Sequence, residues 1–225
     1  MEATVKRTLL AAITLIFITL PLAGCGGGDG RTSPPVIVTQ ILSDPAYDGD
    51  IAKDSASGNY TVTQGNTQSV FAGIDPSTLT EYRTFLDFPL TGEGGVPGDA
   101  VIVSATIDIV INSITPYPSS ETIPIRIDLV SFQPPTLIGT DFDRTLQPAL
   151  VTRTIAPPIS ESDFGHHVAI DVTELMNEAQ RLVLPDLQIR ILEDLGAVSY
   201  GYIEINDTTG PNRNDLAPLL QVSYY

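Results

Sequence analysis

Tryptophan is absent and only two of the 225 residues are histidine. Cysteine occurs once, as Cys25, and 11 basic residues stand against 27 acidic ones. Each shortage excludes something. A single cysteine rules out an intrachain disulfide framework, so any folded domain must rest on its buried core. The histidines are adjacent, His166 and His167, and neighbouring residues on a strand point to opposite faces, which denies them a shared metal or substrate. A formal charge of −16 repels phosphates, anionic head groups and strongly anionic polysaccharides, so nucleic acid is not an expected partner. The chain also lacks a Gly-x-Ser-x-Gly elbow, a His-Glu-x-x-His helix and a phosphate-cradling glycine loop. With none of these signatures, the expectation is a protein that is not an enzyme.

The N-terminus is where specific chemistry is written. Lys6 and Arg7 precede an apolar run from Leu9 to Leu22, which ends in Leu22-Ala23-Gly24-Cys25. That order is a secretory signal, and the run is shorter than the roughly 20 residues that span a bilayer core. The four residues resemble the lipobox of bacterial lipoproteins. The resemblance implies that residues 1–24 are removed and that Cys25 is lipidated, with several acyl chains giving lasting membrane attachment. An uncleaved anchor and ordinary secretory cleavage are the alternatives; both leave an unpaired thiol in an oxidising compartment. Gly26 stands where an Asp would resemble an inner-membrane retention signal, so the expected location is the outer membrane of the cell envelope. Loss of Glu2, Lys6 and Arg7 leaves 9 basic and 26 acidic residues, a formal charge of −17. Residues 25–35, rich in Gly, Ser and Pro, are expected to form a flexible tether, and residues 36–225 a single domain.

Beyond the tether, apolar residues come in short β-branched stretches bounded by Pro, Gly, Asn and Asp, the pattern of an all-β domain. The clearest alternation runs through Val101, Val103, Ala105, Ile107, Ile109 and Ile111, with Ser104, Thr106 and Asp108 on the other face. Comparable stretches begin at Pro35, Ser69, Glu81, Ile123, Ala149, His166, Asp186, Val198 and Leu219. About ten strands in an antiparallel, jelly-roll-like β-sandwich are therefore predicted. One segment has helical spacing instead: Leu175, Met176, Ala179, Leu182 and Val183 predict a short capping helix over about residues 172–183. Asp171 and Glu174 are placed to form a reciprocal capping box at its start.

Several of these segments together resemble DNRLRE-type domains, which are related to carbohydrate-binding module family 96. The likeness is carried by Asp48-Gly49-Asp50-Ile51, by Glu81-Tyr82-Arg83-Thr84-Phe85-Leu86-Asp87-Phe88 and by Ile102-Val103-Ser104-Ala105-Thr106-Ile107. Ile170-Asp171-Val172-Thr173 and Pro218-Leu219-Leu220-Gln221-Val222-Ser223-Tyr224 complete it. The resemblance implies a sandwich module with a non-catalytic role, glycan binding in some relatives.

Candidate binding residues follow from the chemistry of the side chains. Tyr200 and Tyr202 alternate on one strand face; they would either offer a small platform to a pyranose ring or pack into the core. Asp48, Asp50 and Asp54, with Asn206 and Asp207 from a second Asp/Asn-rich stretch, are candidate oxygen ligands for a structural calcium ion. Such residues also build ordinary turns. The expected function is presentation of a module that binds a neutral or cation-bridged glycan, or else a structural or protein-interaction subunit of an envelope assembly.

Overall fold

The alternation predicted from Val101 to Ile111 falls in the longest strand of an all-β, antiparallel sandwich. Only from Ala105 onward does it face the core: Val101 precedes the strand and Val103 is exposed, where the pairing with the C-terminal strand shifts register. The computed structural model describes residues 34–116, 122–131, 135–194 and 200–225. In chain order the first strands are β1 (Ile37–Leu42), β2 (Gly49–Lys53), β3 (Tyr60–Gln64), β4 (Ser69–Ile74), β5 (Glu81–Pro89) and β6 (Ile102–Pro116). There follow β7 (Ile125–Val130), β8 (Val151–Thr154), β9 (His167–Asp171), β10 (Asp186–Glu193), β11 (Gly201–Asn206) and β12 (Leu219–Tyr224). Helix α1 (Thr173–Arg181) lies between β9 and β10, and the short α2 (Arg213–Leu216) precedes β12.

One sheet has the order β1-β12-β6-β9, and the other runs β11-β4-β5-β10-β7-β8. β6 belongs to both. Its residues Ile102 to Asp108 pair with β12, and Ile111 to Pro116 pair with β11. This passage between sheets explains why the strand outruns the alternation visible in sequence.

The core is built from the inward face of each sheet. Ala105, Ile107, Ile109 and Ile111 share one buried cluster with Ile125, Ile127 and Leu129 of β7 and Leu187, Ile189 and Ile191 of β10. Burying each of these Ile or Leu side chains contributes roughly 1.5–3 kcal/mol, which allows the domain to hold without disulfides. α1 adds Leu175, Met176 and Ala179 to the same cluster.

Twelve strands are present where about ten were expected. The two extra are β2 and β3. β3 is exposed along most of its length, and β2 is buried at Gly49, Asp50 and Ile51 but has Ile51 as its one large apolar side chain, so neither shows a one-sided apolar pattern. The helix also differs at both ends. Val172 is its N-cap, and no reciprocal box forms. Asp171 Oδ1 instead accepts the Thr173 N–H and hydroxyl at 3.0 and 2.7 Å, while Glu174 pairs with Arg153 at 3.1 Å. Leu182 and Val183 fall beyond the last turn and are exposed; Val183 has a φ of 55°, which turns the chain away from the helical face.

Candidate functional site

The β2–β3 hairpin makes the principal cleft. Ile51 is fully buried in a small satellite cluster with Phe85, Leu137 and Phe142, so alternation places Asp50 and Ala52 on the opposite face of β2. Thr63 and Thr61 lie directly across from them. The facing wall comes from Ser69 and Phe71 of β4 and Tyr82 of β5, with β11 next to β4. Val70, Ala72, Ile203 and Ile205 enter the core, which leaves Phe71, Ser69, Tyr202 and Glu204 on the outward face. Between the walls is a groove of about 390 Å3 lined by Asp50, Asp54, Thr61, Thr63, Phe71 and Tyr82.

Phe71 and Tyr82 line this groove, and Tyr202 of β11 packs against both rings. Phe71 and Tyr82 have centroids 5.7 Å apart, Phe71 and Tyr202 6.2 Å, and Tyr82 and Tyr202 6.0 Å. All three are half-buried. Beside them Gly73 lets β4 come close to β11: a Cβ there would stand 2.7 Å from Tyr202 Cα and 2.3 Å from the Gly201 carbonyl oxygen. Beside the rings, the Ser69 hydroxyl donates to Glu204 at 2.5 Å.

The carboxylates of the groove differ in state. Asp50 is 4% exposed, and burial pushes it up to about 7, against a smaller opposing effect of the Phe71 N–H that it accepts. Thr84 Oγ1 donates to the Phe71 carbonyl at 2.7 Å. Together these two side chains satisfy the backbone of β4 where its ladder with β5, which pairs only Gly73 and Ile74, has ended. Asp54 is solvent-facing and held below the usual carboxylate range by hydrogen bonds from Ser57 and Ala56. Tyr82 is shifted up by burial first, then by Asp75 and Asp50 nearby.

The residues expected to hold calcium are distributed over three places. Asp50 and Asp54 line the groove. Asp48 and Asp207 meet elsewhere, both fully buried, and bind Arg213 between them, at 3.9 Å from Asp48 and 3.4 Å from Asp207. Asp48 also accepts the Asp87 N–H at 2.9 Å, and Asp207 accepts the Thr67 hydroxyl at 2.5 Å. Arg213 donates in addition to the Ser43 carbonyl. Burial and then the adjacent Asp207 raise Asp48 well above the carboxylate range, so this pair holds a proton near neutral pH. Asn206 joins neither place; its amide donates to Asn112 at 3.0 Å. Among the described residues no three His, Cys, Asp or Glu side chains form a metal group.

Of the two tyrosines expected to form a platform, Tyr202 belongs to the ring trio, whereas Tyr200 is 40% exposed just before β11. Phe71 and Tyr82 were not anticipated as its neighbours. Phe71 sits in a short apolar stretch, where an outward ring cannot be told from a core ring without the register. Cys25 lies outside the described residues.

No family profile matches the chain, and no curated protein matches it. Among solved structures, the chain aligns with one titled "Structure of infectious bursal disease virus Gx strain" at 13% identity, over 85% of this chain and 36% of that one. The chain thus spans about a third of that protein's length, and with a TM-score of 0.20 the likeness carries no argument about fold or role.

Proposed function

We propose that this chain is a non-catalytic module of the bacterial cell envelope, held at the outer membrane through lipidated Cys25, that binds a neutral glycan in the β2–β3 groove. The observation that carries the reading is the trio Phe71, Tyr82 and Tyr202 set beside carboxylates and threonine hydroxyls. Aromatic faces meet the C–H groups of a pyranose, while the surrounding oxygens meet its hydroxyls. Asp54 Oδ1 is occupied by its own turn, which leaves Oδ2 for a sugar hydroxyl or for a calcium ion bridging to one. The likeness to DNRLRE-type domains supports the same reading.

A binding rather than hydrolytic role is supported by spacing. Asp50 and Asp54 are four residues apart on an extended segment, so their Cα atoms stand roughly 13 Å apart at ~3.3 Å per residue. Paired glycosidase carboxyl groups stand about 5–9.5 Å apart. Asp50 is also engaged with the Phe71 backbone and has little accessible surface.

Titration of the protein with an array of neutral oligosaccharides, with calcium and with chelator, tests the groove. Saturable binding is expected to weaken about tenfold or more in Tyr82→Ala through loss of ring stacking, and to be unchanged in Tyr200→Ala. Silence across the array, or binding indifferent to Tyr82 and Tyr202, would remove the sugar reading. The anchor is tested separately: Cys25→Ser should shift the protein from the membrane to the soluble fraction, and unchanged fractionation would count against lipidation.

A further inference from the structure

The hairpin that walls the groove also ends the sheet. Among the described residues β3 pairs with β2 alone. Its hydrogen-bond phase can be read from the flanking bonds: the Gly65 N–H donates to the Asp48 carbonyl and the Asp54 N–H to the Asn59 carbonyl, each at 3.0 Å. In an antiparallel ladder such pairs recur at every second residue. The register Asp50 with Thr63 and Ala52 with Thr61 therefore directs the backbone of Thr61 and Thr63 toward β2. The N–H and C=O groups of Tyr60 and Val62 point the other way, to the free edge. No backbone bond outside the hairpin ladder reaches them among the described residues.

Natural edge strands are usually guarded by charge, proline, a bulge or a covering loop. The other ends of the sheets show such guards. On β1, Thr39 donates to the Gly94 carbonyl of an adjacent loop at 2.6 Å, and β8 carries Arg153, paired with Asp171 and Glu174. β3 reads Tyr60-Thr61-Val62-Thr63-Gln64, with neither charge nor proline. A loop meets it through two side chains: Gln64 donates to the Pro135 carbonyl and accepts the Leu137 N–H, each at 2.9 Å, and Gly139 packs against Tyr60. No backbone bond among the described residues reaches Tyr60 or Val62 from that loop. Tyr60 and Val62 are 42% and 38% exposed.

The two faces beside this edge have opposite charge. On one lies the exposed carboxylate of Asp54 with Thr61 and Thr63, Asp50 beside them being buried against the Phe71 backbone. On the other, a second cavity of about 280 Å3 is lined by Lys53, Tyr60, Arg83, Phe142 and Arg144, together with Glu81 and Asp143. Glu81 is taken by Arg83 at 2.6 Å, and Asp143 by Thr145 at 2.8 Å. Lys53 Nζ stands 5.9 and 5.7 Å from the Tyr60 and Phe142 ring centroids and makes no ion pair among the described residues. Arg144 is one of three guanidinium groups around the single buried carboxylate of Asp128. In a chain of charge −16, this is a local reserve of positive charge.

We propose that β3 is a docking edge for an extended segment of a partner protein whose side chains alternate in charge, cationic toward Asp54 and anionic toward Lys53 and Arg144. Main-chain pairing supplies affinity, and the two flanking cavities read alternate residues. A second copy of β3 is the poorer occupant, because it brings no charged side chain to either face and a net charge of the same sign. The inference does not rest on the sugar reading, since pairing uses the backbone of Tyr60 and Val62 and not the ring trio.

The probe is a synthetic octapeptide of alternating Lys and Glu, titrated against the full chain. Val62→Pro removes an outward N–H without breaking a bond to β2, a change that edge strands tolerate. Binding is expected to fall at least about tenfold in Val62→Pro, and equally when alternate peptide amides are N-methylated, so the result survives even if the variant folds poorly. Lys53→Met should weaken the alternating peptide and tighten an all-Lys peptide, half of whose ammonium groups would otherwise face Lys53. Three results would overturn the proposal: no binding to folded protein, binding insensitive to both N-methylation and Val62→Pro, or edge-dependent self-association in place of peptide binding. Sugar binding that fails in the array leaves these outcomes untouched.

Discussion

Replacing Arg190 by methionine is expected to cost about 3–5 kcal/mol of folding stability, the range for breaking a buried ion pair by removing one partner. Arg190 is fully buried, as is Asp128, and its Nη2 and Nε donate to Asp128 Oδ2 at 2.8 and 3.3 Å. Its Nη1 donates to the carbonyls of Asp141 and Gln147 at 3.2 and 3.1 Å. Methionine fills much of the volume but leaves two buried carbonyls without this donor and moves the neutralisation of Asp128 to Arg144 and Arg126, which stand at 3.3 and 3.6 Å. The segment around residues 141–147, which lies over the outward face of β10 and β7 through these bonds, should loosen. Chemical denaturation at neutral pH gives the number. Asp128→Leu should be damaging as well, because it leaves Arg190, Arg144 and Arg126 without their shared carboxylate. A single-variant cost under about 1 kcal/mol would show that the pair does not hold this layer.

Acidification from pH 8 to pH 5.5 is expected to stabilise the protein, with a rise in Tm on the order of 10 °C. Burial raises Asp50 and Glu193 to about 7 and Asp87 to about 6, and Asp48 is shifted upward as well. In the unfolded chain these groups titrate in the ordinary carboxylate range. Between that range and the raised values the fold holds protons that the unfolded chain has lost. Stability is therefore complete below the unfolded pKa and declines as pH rises through the folded one. The decline is about 1.4 kcal/mol per pH unit for each group still protonated in the fold. Asp75, Asp143 and Asp171 are shifted downward by local hydrogen bonds, and their opposite contribution falls away only in stronger acid. Asp50→Asn with Glu193→Gln should flatten the profile between pH 5.5 and 7. A Tm that climbs with pH over this window would show the sign to be wrong.

The sequence carried the strands that bury one face. Ala105 to Ile111 was legible because every second side chain enters the core, and the same holds for β10 and β12; Val101 and Val103, which continue the same alternation in sequence, are exposed. Helix α1 was legible from Leu175, Met176 and Ala179, although its capping was not, since Thr173 takes Asp171 and Arg153 takes Glu174. β2 escaped because Asp48, Asp50 and their neighbours carry the side chains of a turn or a cation loop. Asp50 tolerates burial only because the Phe71 N–H is there to meet it, and nothing local to residue 50 announces that partner.

The amino-acid sequence by itself determined an all-β chain with one helix, an acidic surface and an N-terminal segment ending at Cys25. Tertiary structure alone decided which polar groups meet: Asp48 with Asp207 and Arg213, Arg190 with Asp128, and Tyr202 with Phe71 and Tyr82. The reason lies in range. Periodicity records whether a residue faces core or solvent, a property of its own strand. A buried charge or an outward ring acquires its role from partners set by sheet order and register, because the cost of removing it from water is offset only where distant segments bring those partners within reach.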